Sequence, residues 1–271
     1  MRKVVLLFVF SLIFFSCEKD PTTTGDGYNL QGNGIIKTKY IYSSSSENEP
    51  YALNSYTYDE NWNLMKILIS DNPKPVFASY TYEYSDKGVL INMKYKAING
   101  ENHLDQTESD FTLIREYKYS YLDNTKIELE YRKNELTDSV VYVNANNLLI
   151  SENHYDLKDF TEWSITYQYD SNNNLIKKTD SPEGTYTIYS YEGSRIIKSE
   201  NYDNTGALTV ENELVYTKSE GKVIVETHYK GIYGDHVSEK STYKDGNIIE
   251  YIRYHPTFQG AEWYCYRYDY Y

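Results

Sequence analysis

Two short stretches of the sequence carry oxygen ligands at the spacing with which some calcium-binding loops begin. They are Asp59-x-Asn61-x-Asn63 and Asp170-x-Asn172-x-Asn174. A complete EF-hand loop also has a carboxylate at its closing position, which here falls on Ser70 or Ser181. Asp and Asn also favour chain reversals, because they bond to their own backbone. We therefore interpret both stretches as turns, and expect no metal and no cofactor.

The other reactive residue types form no catalytic pattern. His154 and His228 hold nearly corresponding places in two related stretches, but another copy has Asn201 there, so we interpret both histidines as solvated strand residues. No pair among the 40 acidic residues stands out for glycoside hydrolysis, and there is no nucleophile elbow or phosphate loop. We expect a protein that is not an enzyme, with a glycan-active enzyme as the minor alternative.

The high number of tyrosines is the most unusual feature of the composition. The chain has 33 tyrosines among 271 residues, against eight Phe and three Trp. Trp62, Trp163 and Trp263 are the candidates for ligand binding, because an indole ring can stack on a sugar ring. Packing within a sheet is the alternative for each, since these rings also suit strands.

The tyrosines belong to a unit that recurs every 21 to 27 residues, with one longer interval of 37. Each unit has alternating tyrosines, such as Tyr167 and Tyr169, then a turn rich in Asp, Asn and Gly, then an aliphatic pair such as Leu175 and Ile176. Residues two apart share one face of a strand, and such turns are typical of β-hairpins. A period of this length indicates a repeat architecture.

We therefore predict an all-β fold, an antiparallel meander of repeated β-hairpins with about 16–18 strands. These strands would form a long, twisted or rolled sheet. The sequence leaves open whether that sheet is open, rolled or closed.

The repeat resembles the Rhs, or Tyr-Asp (YD), family, whose units read Tyr-x-Tyr-Asp, then Gly-Arg-Leu, then an antiparallel return strand. Tyr56-Thr-Tyr58-Asp59 and Tyr167-Gln-Tyr169-Asp170 match the opening, and 88–90, 194–197 and 221–224 approach the middle. The resemblance covers about residues 51 to 256, although Gly-Arg-Leu never occurs intact. In large members the repeats form a shell around a toxin domain. This chain shows no toxin domain, so the resemblance implies a repeat-built sheet in a small surface lipoprotein and does not imply toxin delivery.

The first residues have the layout of an export signal. Arg2 and Lys3 precede an apolar run over 4–15, which is short for a membrane span, and Ser16 and Cys17 follow. This order resembles the lipobox of bacterial lipoproteins, which implies cleavage before Cys17 and a lipid on its sulfur. The stretch 18–20 also resembles a signal for export to the cell surface. The expected organisation is a signal peptide over 1–16, a lipidated cysteine with a flexible tether over 17–34, and a repeat-built β domain over 35–271.

Charge and cysteine count narrow the possible partners. The net charge is −13, and it becomes −15 once Arg2 and Lys3 are removed, so the chain repels phosphate backbones and we expect no nucleic acid. With Cys17 acylated, Cys265 stands alone and is most simply a strand residue.

These features predict a lipid anchor in the outer membrane of a Gram-negative bacterium, exposed at the cell surface, with a periplasm-facing domain as the alternative. We expect a non-catalytic lipoprotein that presents a Tyr-rich sheet to a glycan or protein. The alternative is a structural or assembly-complex protein of the envelope.

Overall fold

A computed structural model describes residues 34–43, 45–71, 76–98, 111–232, 234–254 and 262–270, with only the backbone for 262 and 263. The described residues form 18 strands: β1 (Ile36–Tyr42), β2 (Ala52–Tyr58), β3 (Leu64–Asp71), β4 (Val76–Tyr84), β5 (Leu90–Ala97), β6 (Thr112–Leu122), β7 (Thr125–Arg132), β8 (Glu135–Ala145), β9 (Leu148–Asp156), β10 (Thr161–Tyr169), β11 (Leu175–Ser181), β12 (Tyr186–Glu192), β13 (Arg195–Tyr202), β14 (Leu208–Ser219), β15 (Lys222–Lys230), β16 (His236–Lys244), β17 (Asn247–Tyr254) and β18 (Glu262–Tyr270).

The strands form one antiparallel sheet that closes on itself as a barrel. Each strand pairs with the next along the chain, and β1 pairs with both β2 and β18. In the closing pair, Lys39 lies opposite Tyr268 and Tyr42 lies opposite Cys265. The predicted all-β, antiparallel fold is confirmed, and the sheet is closed, which the sequence had left open.

Closure follows from a β-bulge that recurs at the same place in six hairpins. The ladder register shifts where the first strand of the hairpin ends, beside Tyr58, Tyr84, Asn144, Tyr169, Tyr191 and Tyr243. The residue that the register skips is apolar each time: Met65, Ile91, Ile150, Ile176, Ile197 and Ile249. Bulges bend a strand and increase its twist, so their repetition curls the ribbon until its first and last strands meet.

The two faces of the sheet differ in chemistry. Cross-strand partners trace one face that carries most of the alternating tyrosines, including Tyr82, of which 9% is exposed. The opposite face carries Lys–Glu pairs, and Lys198 Nζ lies 2.8 Å from carboxylate oxygens of both Glu200 and Glu211. The Lys198 side chain is 34% exposed. Tyr82 and Tyr117 on the tyrosine face are largely buried, so we assign this face to the inner wall. The charged face meets solvent except at Tyr42, Ile252 and Cys265, which form a buried cluster on it.

A closed sheet of 18 strands encloses more space than its inward side chains fill. Strands spaced about 4.8 Å apart give a circumference of roughly 90 Å even before tilt is included. Aromatic contacts run along the wall, for example between the rings of Tyr80 and Tyr95 on neighbouring strands, whose centroids are 4.8 Å apart. The inner wall is therefore a broad surface on which a ligand can lie.

Candidate functional site

The Asp-x-Asn-x-Asn stretches are turns, as the sequence indicated. Asp170 Oδ1 accepts hydrogen bonds from the backbone N–H groups of Asn172 and Asn174, both at 2.8 Å, and Oδ2 accepts from the Asn174 amide at 2.9 Å. Asp59 makes the same three bonds to Asn61 and Asn63. These bonds hold the pKa of both aspartates below its usual value. Both carboxylates therefore stabilise the turns in which they lie.

Six tyrosines act as latches between neighbouring strands. Each hydroxyl donates to a backbone carbonyl near the same end of the barrel: Tyr58 to Ile36 (2.9 Å), Tyr84 to Leu64 (3.0 Å), Tyr169 to Leu149 (2.9 Å), Tyr191 to Leu175 (2.8 Å), Tyr216 to Ile196 (2.9 Å) and Tyr270 to Ile248 (2.5 Å). These carbonyls lie near the ends of their strands, where the backbone hydrogen-bond ladder ends. The latch tyrosines therefore have a structural role.

Other inward tyrosines form a neutral polar lining. Burial is the main cause that raises the pKa of Tyr82, Tyr119, Tyr142 and Tyr268. Their phenols therefore keep their protons at neutral pH, and each can both donate and accept a hydrogen bond.

The most distinctive group on the inner wall surrounds Trp163 on β10. Its ring stacks on the imidazole of His154 on β9, with centroids 4.8 Å apart and planes 8° from parallel. The two residues lie directly opposite each other in the β9–β10 ladder. Because 37% of Trp163 remains exposed, the indole offers an apolar surface to the interior.

Hydrogen bonds fix the polar side of this group. Glu152 Oε2 lies 3.1 Å from His154 Nε2, and Glu152 Oε1 accepts a 2.7 Å bond from the hydroxyl of Tyr167. Burial alone would raise the pKa of Glu152, but the bonds from His154 and Tyr167, with the nearby charge of Lys178, outweigh it and hold the pKa below its usual value. Glu152 is therefore an ionised acceptor beside the Trp163 ring.

A second carboxylate lies along the same face of the neighbouring strands. Burial raises the pKa of Glu128 on β7, and Lys126, whose Nζ is 3.7 Å away, opposes that rise. Burial raises the pKa of the Tyr142 hydroxyl, and the nearby charges of Glu128 and Glu152 raise it further. Lys126 Nζ lies 4.0 Å from the centroid of the Tyr142 ring. We call Glu128, Tyr142, Glu152, His154, Trp163 and Tyr167 the Trp163 cluster.

The three predicted tryptophans do not form one site. Trp62 lies in the turn after β2, whereas Trp163 lies close to the turn before β10, so they belong to opposite ends of the barrel. Trp62 is 58% exposed and has a φ of 63°, at the turn position where Gly88 and Gly206 stand in other copies. A bulky residue with positive φ is unusual. Only the backbone of Trp263, in β18, is described, and Cys17 lies outside the described residues.

Sequence reasoning missed the partners of Trp163. We interpreted His154 as a solvated strand residue, but its side chain is only 18% exposed and is covered by the indole. The available signal was alternation, because Glu152 and His154 are two apart and so share a face. The pairing of that face with Trp163 depends on the register set by the turn at 157–160.

Two further features of the described residues concern metal binding and membrane spanning. No group of three or more His, Cys, Asp or Glu side chains in them has an arrangement that could hold a metal ion. Nor do they include a helix with the length and apolar character needed to cross a membrane.

Comparison with known proteins yields only distant likenesses. No protein-family model matches the chain, and neither does any curated protein. A porin-like protein from Bacteroides uniformis superposes with a TM-score of 0.34 at 8% identity, over 87% of this chain and 98% of that one. A porin-like protein from Bacteroides vulgatus gives 0.29 at 8% identity, over 88% and 99%.

A chain of the Photorhabdus luminescens Tc holotoxin pore gives a TM-score of 0.33 at 13% identity, over 79% of this chain. The protein spans only 15% of the length of that toxin chain. These scores are too low to assign a family or a function.

Proposed function

We propose that this protein is a non-catalytic binding protein that holds a glycan against the inner wall of its barrel. The observation that carries the proposal is the Trp163 cluster, where an oriented, partly exposed indole lies beside an ionised carboxylate and a phenol. A pyranose ring has an apolar face of C–H groups and a rim of hydroxyl donors. The indole can stack on the C–H face, and Glu152 and the tyrosine lining can accept hydrogen bonds from the hydroxyl groups.

The cluster suits binding better than catalysis. Both oxygens of Glu152 are engaged by protein groups, and Glu128 is paired with Lys126. A general acid or base has to reach a proton on the substrate. Carboxylates held in this way orient hydroxyl groups, and the stack on His154 keeps the indole in one position.

We further propose that the protein is attached to the outer membrane of a Gram-negative bacterium through a lipid on Cys17, with the barrel at the cell surface or facing the periplasm. The charged outer face supports attachment over insertion, because Lys and Glu side chains at a lipid surface would be costly. Kinship with the YD-repeat family is part of the same proposal. It rests on the Tyr-x-Tyr-Asp openings and on the hairpin period.

A glycan array probed with the purified full-length protein in mild detergent tests the proposal, followed by calorimetric titration of the best glycan. Trp163→Ala should weaken binding at least about tenfold, which is ~1.4 kcal/mol. Trp62→Ala, which removes an exposed indole at the other end of the barrel, is the matched control and should leave affinity unchanged. Equal affinity of Trp163→Ala and the unmodified protein would exclude the Trp163 cluster as the site.

A structural or assembly role in the envelope is the second candidate. Large apolar side chains are exposed where hairpins turn, notably Leu122 at 70% and Trp62 at 58%. Such residues suit contact with another protein. An empty array together with an envelope protein that co-purifies, and that is lost on Leu122→Ser, would favour this role over glycan binding.

A further inference from the structure

A cavity of about 420 Å³ lies on the inner wall across β13–β17. It is separate from the Trp163 cluster, which lies on β7–β10. Two rows of cross-strand partners line it. One row runs through Asn212, Tyr229 and His236, and the other ends in Glu239 and Arg253. Its volume falls within the range of about 300–1,000 Å³ typical of small-molecule sites. We call it the Asn212 cavity.

The cavity is rich in hydrogen-bond acceptors. The Asn212 amide donates to Ser199 Oγ at 3.3 Å, which leaves its oxygen as an acceptor. Ser238 Oγ donates to the Thr227 carbonyl at 3.1 Å and keeps its lone pairs. His236 Nδ1 lies 3.0 Å from the Gly234 carbonyl, which can only accept, so Nδ1 carries a proton, and whenever the ring is neutral Nε2 is an acceptor. A ligand that fits must therefore bring several donors.

The formal charges in the cavity balance. Arg253 Nε lies 3.8 Å from Glu239 Oε1, and Arg253 Nη1 donates to the Tyr264 hydroxyl at 3.1 Å. One cation and one anion therefore face each other, in a chain whose net charge of −13 opposes an anionic ligand. The Tyr229 and His236 rings, with centroids 5.0 Å apart, add an apolar surface.

We propose that the Asn212 cavity binds one neutral hexose unit. Its hydroxyl groups donate to Asn212, Ser238, His236 and Glu239, while Arg253 donates to a ring or hydroxyl oxygen and Tyr229 contacts the C–H face. The proposal is independent of the Trp163 cluster, because none of these residues belongs to it. It assigns the barrel a second saccharide site on another sector of the wall.

This site is tested by titrating the full-length protein in mild detergent with D-glucose, D-galactose and D-mannose. Binding is measured by calorimetry or ligand-observed NMR, and D-glucuronate is the anionic probe. Saturable binding of at least one neutral hexose is expected, with D-glucuronate at least about tenfold weaker. Asn212→Leu should lower hexose affinity at least about tenfold. His236→Phe keeps the ring and removes the acceptor, so it should also weaken binding if Asn212→Leu does not fold.

Trp163→Ala separates the two proposals. It removes any hexose bound at the Trp163 cluster, and the hexose binding that remains should be lost when Asn212→Leu is added. The cavity proposal is overturned if no neutral hexose saturates the protein. It is equally overturned if hexose affinity survives both Asn212→Leu and His236→Phe, or falls only in Trp163→Ala.

Discussion

Lys39 offers a prediction whose sign can be worked out from the structure. It lies on the inner wall of β1, only 6% exposed, with Nζ 3.4 Å from the centroid of the Tyr266 ring. Burial lowers its pKa from 10.5 to about 8. The folded state therefore holds the proton less tightly than the unfolded state does. The resulting penalty is present in full below about pH 8, and it fades as pH rises towards 10.5.

The change we propose is Lys39→Met, which keeps the volume and removes the charge. A shift from 10.5 to about 8 corresponds to about 3 kcal/mol of penalty at pH 7. The lost contact between the ammonium and the Tyr266 ring offsets about 1–2 kcal/mol of that gain. The variant should therefore be more stable than the unmodified protein by about 1–2 kcal/mol at pH 7.

The difference in the free energy of unfolding between Lys39→Met and the unmodified protein is measured by urea unfolding, monitored by circular dichroism, at several pH values from 7 to 9.5. The advantage of Lys39→Met should shrink by roughly 1 kcal/mol over this window, because the unmodified protein loses the Lys39 proton together with the ring contact that depends on it. Lys37→Met, at an exposed position on the same strand, is the control and should change stability by less than about 0.5 kcal/mol. A Lys39→Met variant that is no more stable at pH 7, with a difference flat across the window, would refute the reasoning.

Three further changes test the latches, the turns and the anchor. Tyr84→Phe removes the hydrogen bond to the Leu64 carbonyl and should lower the free energy of unfolding by about 1 kcal/mol, or Tm by roughly 2–4 °C. Tyr82→Phe on the same strand is the control and should lower stability much less. Equal losses of Tm in the two variants would count against the latch. Asp170→Ala should lower Tm because three hydrogen bonds within the turn are lost. Millimolar calcium should leave the Tm of the unmodified protein unchanged. A rise in Tm with calcium would support the calcium-binding interpretation instead. Cys17→Ser should abolish lipid labelling and membrane association, and unaltered membrane fractionation would remove the anchor proposal.

Local features of the fold could be predicted from the sequence because they depend on nearby residues. The turn at Asp170 uses bonds within four residues, and alternation alone puts Tyr167 and Tyr169 in one strand. The aliphatic pairs lie in strands in most copies, although Val89 precedes β5, and their part in the bulges was not predicted. In copies such as Leu175–Ile176 the second member of the pair is the bulged residue. A bulge appears only when the partner strand is known.

Features that join distant residues could not be predicted in the same way. Closure brings Tyr42 opposite Cys265, and it depends on curvature summed over every hairpin. The Trp163 cluster depends on registers across several strands, so neither His154 nor Glu128 stood out in the sequence. Burial of Lys39 follows from closure, since β1 gains an inner face only when β18 pairs with it.

The repeated hairpins close into a barrel with an inner wall, and the native cysteine allows a direct test of that closure. Tyr42 and Cys265 are paired across β1 and β18 and share one buried cluster with Ile252. Opposed residues in an antiparallel pair have Cα atoms about 4.5–5.5 Å apart, a separation that a disulfide can span. Tyr42→Cys therefore places two thiols within bonding reach.

Mild oxidation of Tyr42→Cys, with the cross-link mapped by mass spectrometry under non-reducing conditions, is the measurement. An intramolecular disulfide between position 42 and Cys265 is the expected result, and Ile41→Cys, which faces the inner wall, should form none. A folded Tyr42→Cys protein whose two thiols stay free, or link only between molecules, would contradict closure.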